Sequence, residues 1–153
     1  MADVMPVSSA SAKLGRLVVV GLGLIGGSFA KGIREKGLFS EVVGVDLDAE
    51  SRRLAVELGV VDRCEIDLAA ACQGAAVIQL AVPILAMEKL LLQLAKLDLG
   101  QAVLTDVGSA KGNVVRAARL AFAGDNPRFV PGHPIAGSEQ SGVEASNAQL
   151  FRR

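Results

Sequence analysis

At 153 residues the chain is about one domain long, which excludes a large multidomain enzyme. With 51% hydrophobic residues, 21% charged, and 16 Lys+Arg balanced by 16 Asp+Glu, it can bury a core, which excludes disorder over most of its length. The balanced charge and the lack of Tyr and Trp for base stacking argue against nucleic acid as a partner.

Residues 1–14 are polar, small and aperiodic, and read as a flexible leader ahead of a domain over 15–153. They lack the basic start and unbroken apolar stretch of a signal peptide. The apolar run 17–30 carries Gly21, Gly23, Gly26 and Gly27 and is too short to cross a bilayer. Cys64 and Cys72 have no second pair, and His133 is the sole histidine, so neither a disulfide framework nor a metal site is legible. These features together predict a cytoplasmic protein with two buried, reduced thiols.

Strands are expected at 17–20, 42–45, 76–81, 102–105 and 128–130. The first and third are nearly continuous apolar runs, as in a parallel sheet covered on both faces. Helical stretches alternate with them. Ile25, Phe29 and Ile33 form one stripe that stops at Gly37. Asp48 caps a helix running to Leu58, Asp67 opens a short one, Pro83 begins a fourth, and a fifth spans about 109–123. The alternation predicts an α/β, doubly wound, mostly parallel sheet of Rossmann type.

The first strand runs directly into Gly21-Leu22-Gly23-Leu24-Ile25-Gly26, a GxGxxG that opens the first helix. In this pattern the first glycine makes the turn, the second admits a pyrophosphate, and the third lets helix and strand pack closely. Free N–H groups at the helix N-terminus, including those at Leu24 and Ile25, then face the phosphates. Asp46 follows Gly26 by twenty residues and ends the second strand, where its carboxylate suits ribose hydroxyls and repels a 2′-phosphate. NAD rather than NADP is therefore the expected cofactor. Arg52 and Arg53 are the nearby cations and are expected on a solvated helix face. Val82 and Pro83 end another strand where the second half of the cofactor would run.

His133 lies in a loop after the last expected strand, on the ligand-binding side of such sheets. Neutral imidazole suits proton removal from a hydroxyl near pH 7, which promotes hydride departure. Ser109 can share that hydrogen bond, cap the following helix, or do both. Glu139 is a weaker substrate candidate.

The strings VVVGLGLIGGSFAKGIR, VGVDLD, LAVP, LTDVGSAKG and above all GHPIAGSEQSGVEASNAQLF resemble the N-terminal half of prephenate dehydrogenases, the cyclohexadienyl and arogenate dehydrogenase family, from about residue 16 onward. The resemblance implies NAD-dependent oxidative decarboxylation of prephenate or arogenate in tyrosine biosynthesis. It implies that His133 bonds the substrate's ring hydroxyl, that Ser109 stands beside it, and that Glu139 lies near the entrance. It also implies a helical, dimerising C-terminal domain that this sequence lacks. The expectation is thus a truncated nucleotide-binding part of a homodimeric enzyme, with little or no turnover by itself. Two other readings stand beside this one: a β-hydroxyacid-type NAD dehydrogenase, and a non-catalytic NAD-binding module.

Overall fold

The computed structural model describes residues 12–107, 111–132 and 141–151. The order of elements is β1 (Leu14–Val20), α1 (Leu24–Lys36), β2 (Phe39–Val45), α2 (Ala49–Glu57), β3 (Arg63–Glu65), α3 (Leu68–Cys72), β4 (Ala75–Leu80), α4 (Ile84–Ala95), β5 (Val103–Asp106), α5 (Lys111–Ala121) and β6 (Phe129–Val130). A single 3-10 turn, Val143–Ala145, follows. Six strands pair in parallel in the order β3-β2-β1-β4-β5-β6. This is the doubly wound order, with the chain reversing direction across the sheet between β1 and β4.

Alternation along each strand divides the core. Val18, Val20, Val43, Ile78, Leu80 and Leu104 face α3, α4 and α5, where Met87, Leu91, Leu94 and Val114 are also buried. Leu17, Val19 and Val42 face α1 and α2 and meet Ala30 and Ala55. A one-residue slip in β1 would exchange these two sets, so the register is fixed by burial on both faces. Each fully buried Leu or Ile stabilises by about 1.5–3 kcal/mol relative to exposure. Over β5 and β6 no described helix covers the second face, where Val103 and Val130 are partly exposed.

The local stop and start signals are met. Gly37 ends α1 in the left-handed region at φ 61°. Asp48 accepts from the Ser51 N–H at the head of α2, and Asp67 from the Ala69 N–H at the head of α3. Pro83 is the N-cap of α4.

Three expectations need correction. β1 begins at Leu14, earlier than residue 17, because Arg16 is accommodated at the sheet edge of the core by Glu41 and by the carbonyls of Ala71 and Gln73. β3 was not expected at all, since Arg63-Cys64-Glu65 is short and charged. It forms because its backbone pairs with β2 while Arg63 bonds Glu41 and Glu65. Of the two thiols only Cys72 is fully buried, and burial pushes it up to about 11; Cys64 is half-buried. Among the described residues, no helix is long and apolar enough to cross a membrane.

Glu41 joins three strands, accepting from Arg16 Nε at 2.8 Å and from Arg63 Nε at 2.6 Å. The Arg63 guanidinium, followed by Arg16, holds its carboxyl below the ordinary value of 4.5. A carboxyl with a lowered folded-state pKa contributes stability that is present above the unfolded value and disappears as pH falls through the folded one. Glu41→Gln should therefore cost about 1 kcal/mol or less at pH 7, the pair being partly exposed. In urea titrations the gap from wild type should close as pH falls below the ordinary carboxyl value of 4.5; a gap independent of pH would show that the ion pair contributes nothing.

Candidate functional site: a nucleotide cleft at the carboxyl end of the sheet

The turn between β1 and α1 is pressed against the end of β4. Gly21 has φ 96°, and a Cβ placed on it would lie 2.4 Å from the Ala81 carbonyl oxygen. A Cβ on Gly26 would lie 2.0 Å from the Gly21 oxygen. Neither position has room for any side chain. Gly23 is the opposite case, since nothing lies within 4 Å of where its Cβ would be, and it lines an open cleft. The three glycines thus divide into two that let the backbone pack and one that keeps a surface bare.

Leu22, between them, sends its side chain into the core over Gly44 and is 1% exposed. Its N–H points the other way and donates to Asp46 Oδ2 at 2.9 Å. Asp46 Oδ1 accepts from the Asp48 N–H at 2.9 Å. The carboxylate is therefore oriented by two backbone donors at the cleft wall, each oxygen retaining acceptor capacity for a ligand hydroxyl.

The open cleft has a volume of about 1120 Å³, slightly above the usual range of small-molecule sites, which leaves room for an extended ligand. One wall is the loop 20–25 with Asp46 and Leu47; the other is Ile66 and Leu68 with Lys89, Leu90 and Gln93 of α4. Ala81, Val82 and Pro83 form the floor between them. α1 enters this cleft with no side-chain cap and no acidic residue in its first turn. α2 and α3 have their own aspartates there. The exposed positive end of α1 is thus available to an anion.

Of the expected cofactor residues, Gly21, Gly23, Leu24, Ile25, Asp46, Val82 and Pro83 line this one cleft. Gly26 does not; it supports the loop from beneath. Ser109, His133 and Glu139 lie outside the described residues. Gly132, just before His133, donates to Asp106 Oδ1 at 3.1 Å, and Ser141 and Gly142 line the cleft. Beyond them the chain is held on α1, with Val143 buried and the Asn147 N–H on Ser28 Oγ at 2.8 Å.

Sequence reasoning missed the α3–α4 wall and misjudged Arg52. Arg53 does lie on an exposed helix face, paired with Glu50 and Glu57. Arg52 instead turns back to donate to the carbonyls of Asp46 and Leu47. The only signal in the sequence is its spacing of six from Asp46, which a solvated arginine shares.

The glycine geometry separates folding from binding. Gly26→Ala should destabilise the chain by about 1–3 kcal/mol or more, whereas Gly23→Ala, in open space with φ −77°, should melt close to wild type. Thermal unfolding of both variants checks this, and a large loss in Gly23→Ala would refute the division of roles.

Comparison with known proteins agrees with the site. Residues 29–153 match the family model described as prephenate dehydrogenase, nucleotide-binding domain. The prephenate dehydrogenase of Lactococcus lactis subsp. cremoris is 40% identical over 137 residues, 89% of this chain and 38% of that protein. The crystal structure of prephenate dehydrogenase from A. aeolicus, in complex with hydroxyphenyl propionate and NAD+, superposes with a TM-score of 0.81 at 34% identity, covering 93% of this chain and 49% of that one. Synechocystis arogenate dehydrogenase gives a TM-score of 0.78 at 34% identity, covering 89% and 46%. This chain thus spans less than half the length of these relatives. A parallel 3-2-1-4-5-6 sheet, a glycine turn over an open cleft and a family match over most of its length lead to one conclusion: the chain belongs to the prephenate dehydrogenase family, to its nucleotide-binding domain.

Proposed function

We propose that this chain binds NAD in the cleft and serves as the nucleotide-binding part of an enzyme that oxidatively decarboxylates prephenate or arogenate in tyrosine biosynthesis. The observation that carries the nucleotide reading is the Asp46 carboxylate, held by the Leu22 and Asp48 N–H groups beside a glycine loop that leaves Gly23 bare. In this reading Asp46 accepts from the adenine ribose hydroxyls, and the uncapped α1 N-terminus faces the pyrophosphate. Asp46 also disfavours NADP, because a 2′-phosphate would meet its charge. NAD, when bound, supplies the hydride acceptor.

The chain's own part in the reaction is positioning and proton removal. His133 takes the proton of the substrate's ring hydroxyl as hydride leaves the same carbon, and Ser109 shares that hydrogen bond. Loss of carbon dioxide leaves an aromatic ring, so the step runs strongly in one direction and asks only modest help of the base. The same reading gives Glu139 a weaker role toward the substrate. The relatives support this chemistry by their names, and the bond from Gly132 to Asp106 and the place of Ser141 on the cleft lining are compatible with it. The protein as a whole works on a small-molecule substrate in the cytoplasm as a homodimer.

Calorimetric titration with NAD and NADP tests the reading. NAD should bind more tightly than NADP, and Asp46→Ala should weaken NAD about tenfold or more while erasing the preference. Binding of neither nucleotide by the wild-type chain would overturn it.

A further inference from the structure

The turn after β2 carries the carboxylate on which the nucleotide reading depends, and its own sequence anchors only its far end, where Asp48 caps α2. Asp46, Leu47 and Asp48 span it, and Leu47 is 92% exposed, so no apolar contact holds its crest. Besides the Asp48 cap on Ser51, two attachments restrain it. One is the pair of backbone donors on the Asp46 carboxylate itself. The other is Arg52, one turn into α2, whose Nη1 donates to the Asp46 carbonyl at 2.7 Å and to the Leu47 carbonyl at 3.0 Å. A single nitrogen therefore bridges consecutive carbonyls and fixes the peptide that joins them.

Arg52 is itself restrained. Its backbone N–H is bonded to the Asp48 carbonyl inside α2, and its own carbonyl accepts from the Cys64 thiol on β3 at 3.6 Å. Arg52 is of intermediate exposure, whereas Arg53 is exposed and engaged by two glutamates. A charged donor on a neutral carbonyl is stronger than a neutral pair, and in this setting it resists rotation of the Asp46 backbone.

Resting on the NAD reading above, we infer that Arg52 is a positioning residue for cofactor selection: by holding the Asp46 and Leu47 carbonyls it keeps the Asp46 carboxylate aimed at the ribose subsite. It does so from behind, through the backbone, and not as a ligand of the nucleotide. This distinguishes it from an arginine that binds a 2′-phosphate. A phosphate-binding arginine favours NADP, whereas this one sharpens the preference for NAD by fixing the group that repels that phosphate.

The test is a double-mutant cycle on the whole chain, with Arg52→Ala, Asp46→Ala and the pair titrated with NAD and NADP, and unfolding followed in parallel. Arg52→Ala should weaken NAD about tenfold and leave NADP unchanged or slightly tighter. In the Asp46→Ala background the same change should cost less than about twofold, because the group it positions is gone. Arg52→Lys, which keeps the charge with a single head group, should recover part of the loss. It also carries the test should Arg52→Ala fail to fold, in which case undiminished NAD affinity and selectivity in Arg52→Lys, relative to wild type, would overturn the assignment. Equal losses with and without Asp46, or a loss confined to NADP, would also overturn it. Failure of the wild-type chain to bind either nucleotide would bring down the NAD reading itself, and with it this one.

Discussion

The structure depends on one close approach: the β1–α1 turn against the end of β4. With the Ala81 carbonyl and the Gly21 carbonyl occupying the space that side chains would need at Gly21 and Gly26, α1 starts low over the sheet. The Gly21 N–H is bonded to the Val45 carbonyl and the Ala81 N–H to that of Val20, so the ends of β2, β1 and β4 are joined at one level. Any residue larger than glycine at the two crowded positions would lift the helix and part these ends. The cleft is the space that remains above this junction.

Electrostatics then decides what the space accepts. Helix N-termini carry partial positive charge, and proteins usually answer it with a side chain. α2 and α3 do so with Asp48 and Asp67, and the Ser51 hydroxyl and N–H hold the Asp48 carboxyl below its ordinary range. α1 has no such answer, and its open end faces the cleft. Several arginines are committed to acidic partners away from it: Arg34 to Asp62, Arg63 to Glu41, Arg53 to Glu50 and Arg119 to Asp125. Arg52 differs in spending its charge on backbone carbonyls.

Much of this is legible in the sequence. The glycine spacing, the strand before it and Asp46 at the end of the next strand are local patterns, and local patterns survive folding because each is set by backbone sterics. Caps at Asp48 and Asp67 and the stop at Gly37 are equally local. β3 was illegible for a physical reason: Arg63 and Glu65 look like loop residues, and only the presence of Glu41 on the neighbouring strand makes their extended pairing favourable. The same holds at Arg16, whose guanidinium is satisfied by Glu41 and by carbonyls more than fifty residues away. Gly26, the glycine expected to let helix and strand pack closely, lies under the loop against the Gly21 carbonyl and Ala81.

By itself the sequence determined the class of fold, the glycine turn that lines the cleft, and the acidic residue beside it, since periodicity, glycine sterics and capping act over a few residues. Tertiary structure decided which groups share the cleft with them. Ile66, Leu68, Lys89 and Gln93 join its wall only because β4 crosses to the other side of β1 and brings α3 and α4 opposite the glycine loop. Arg52 reaches the Asp46 carbonyl only because α2 folds back along β2. Such contacts follow from strand order and helix direction, and no spacing along the chain encodes them.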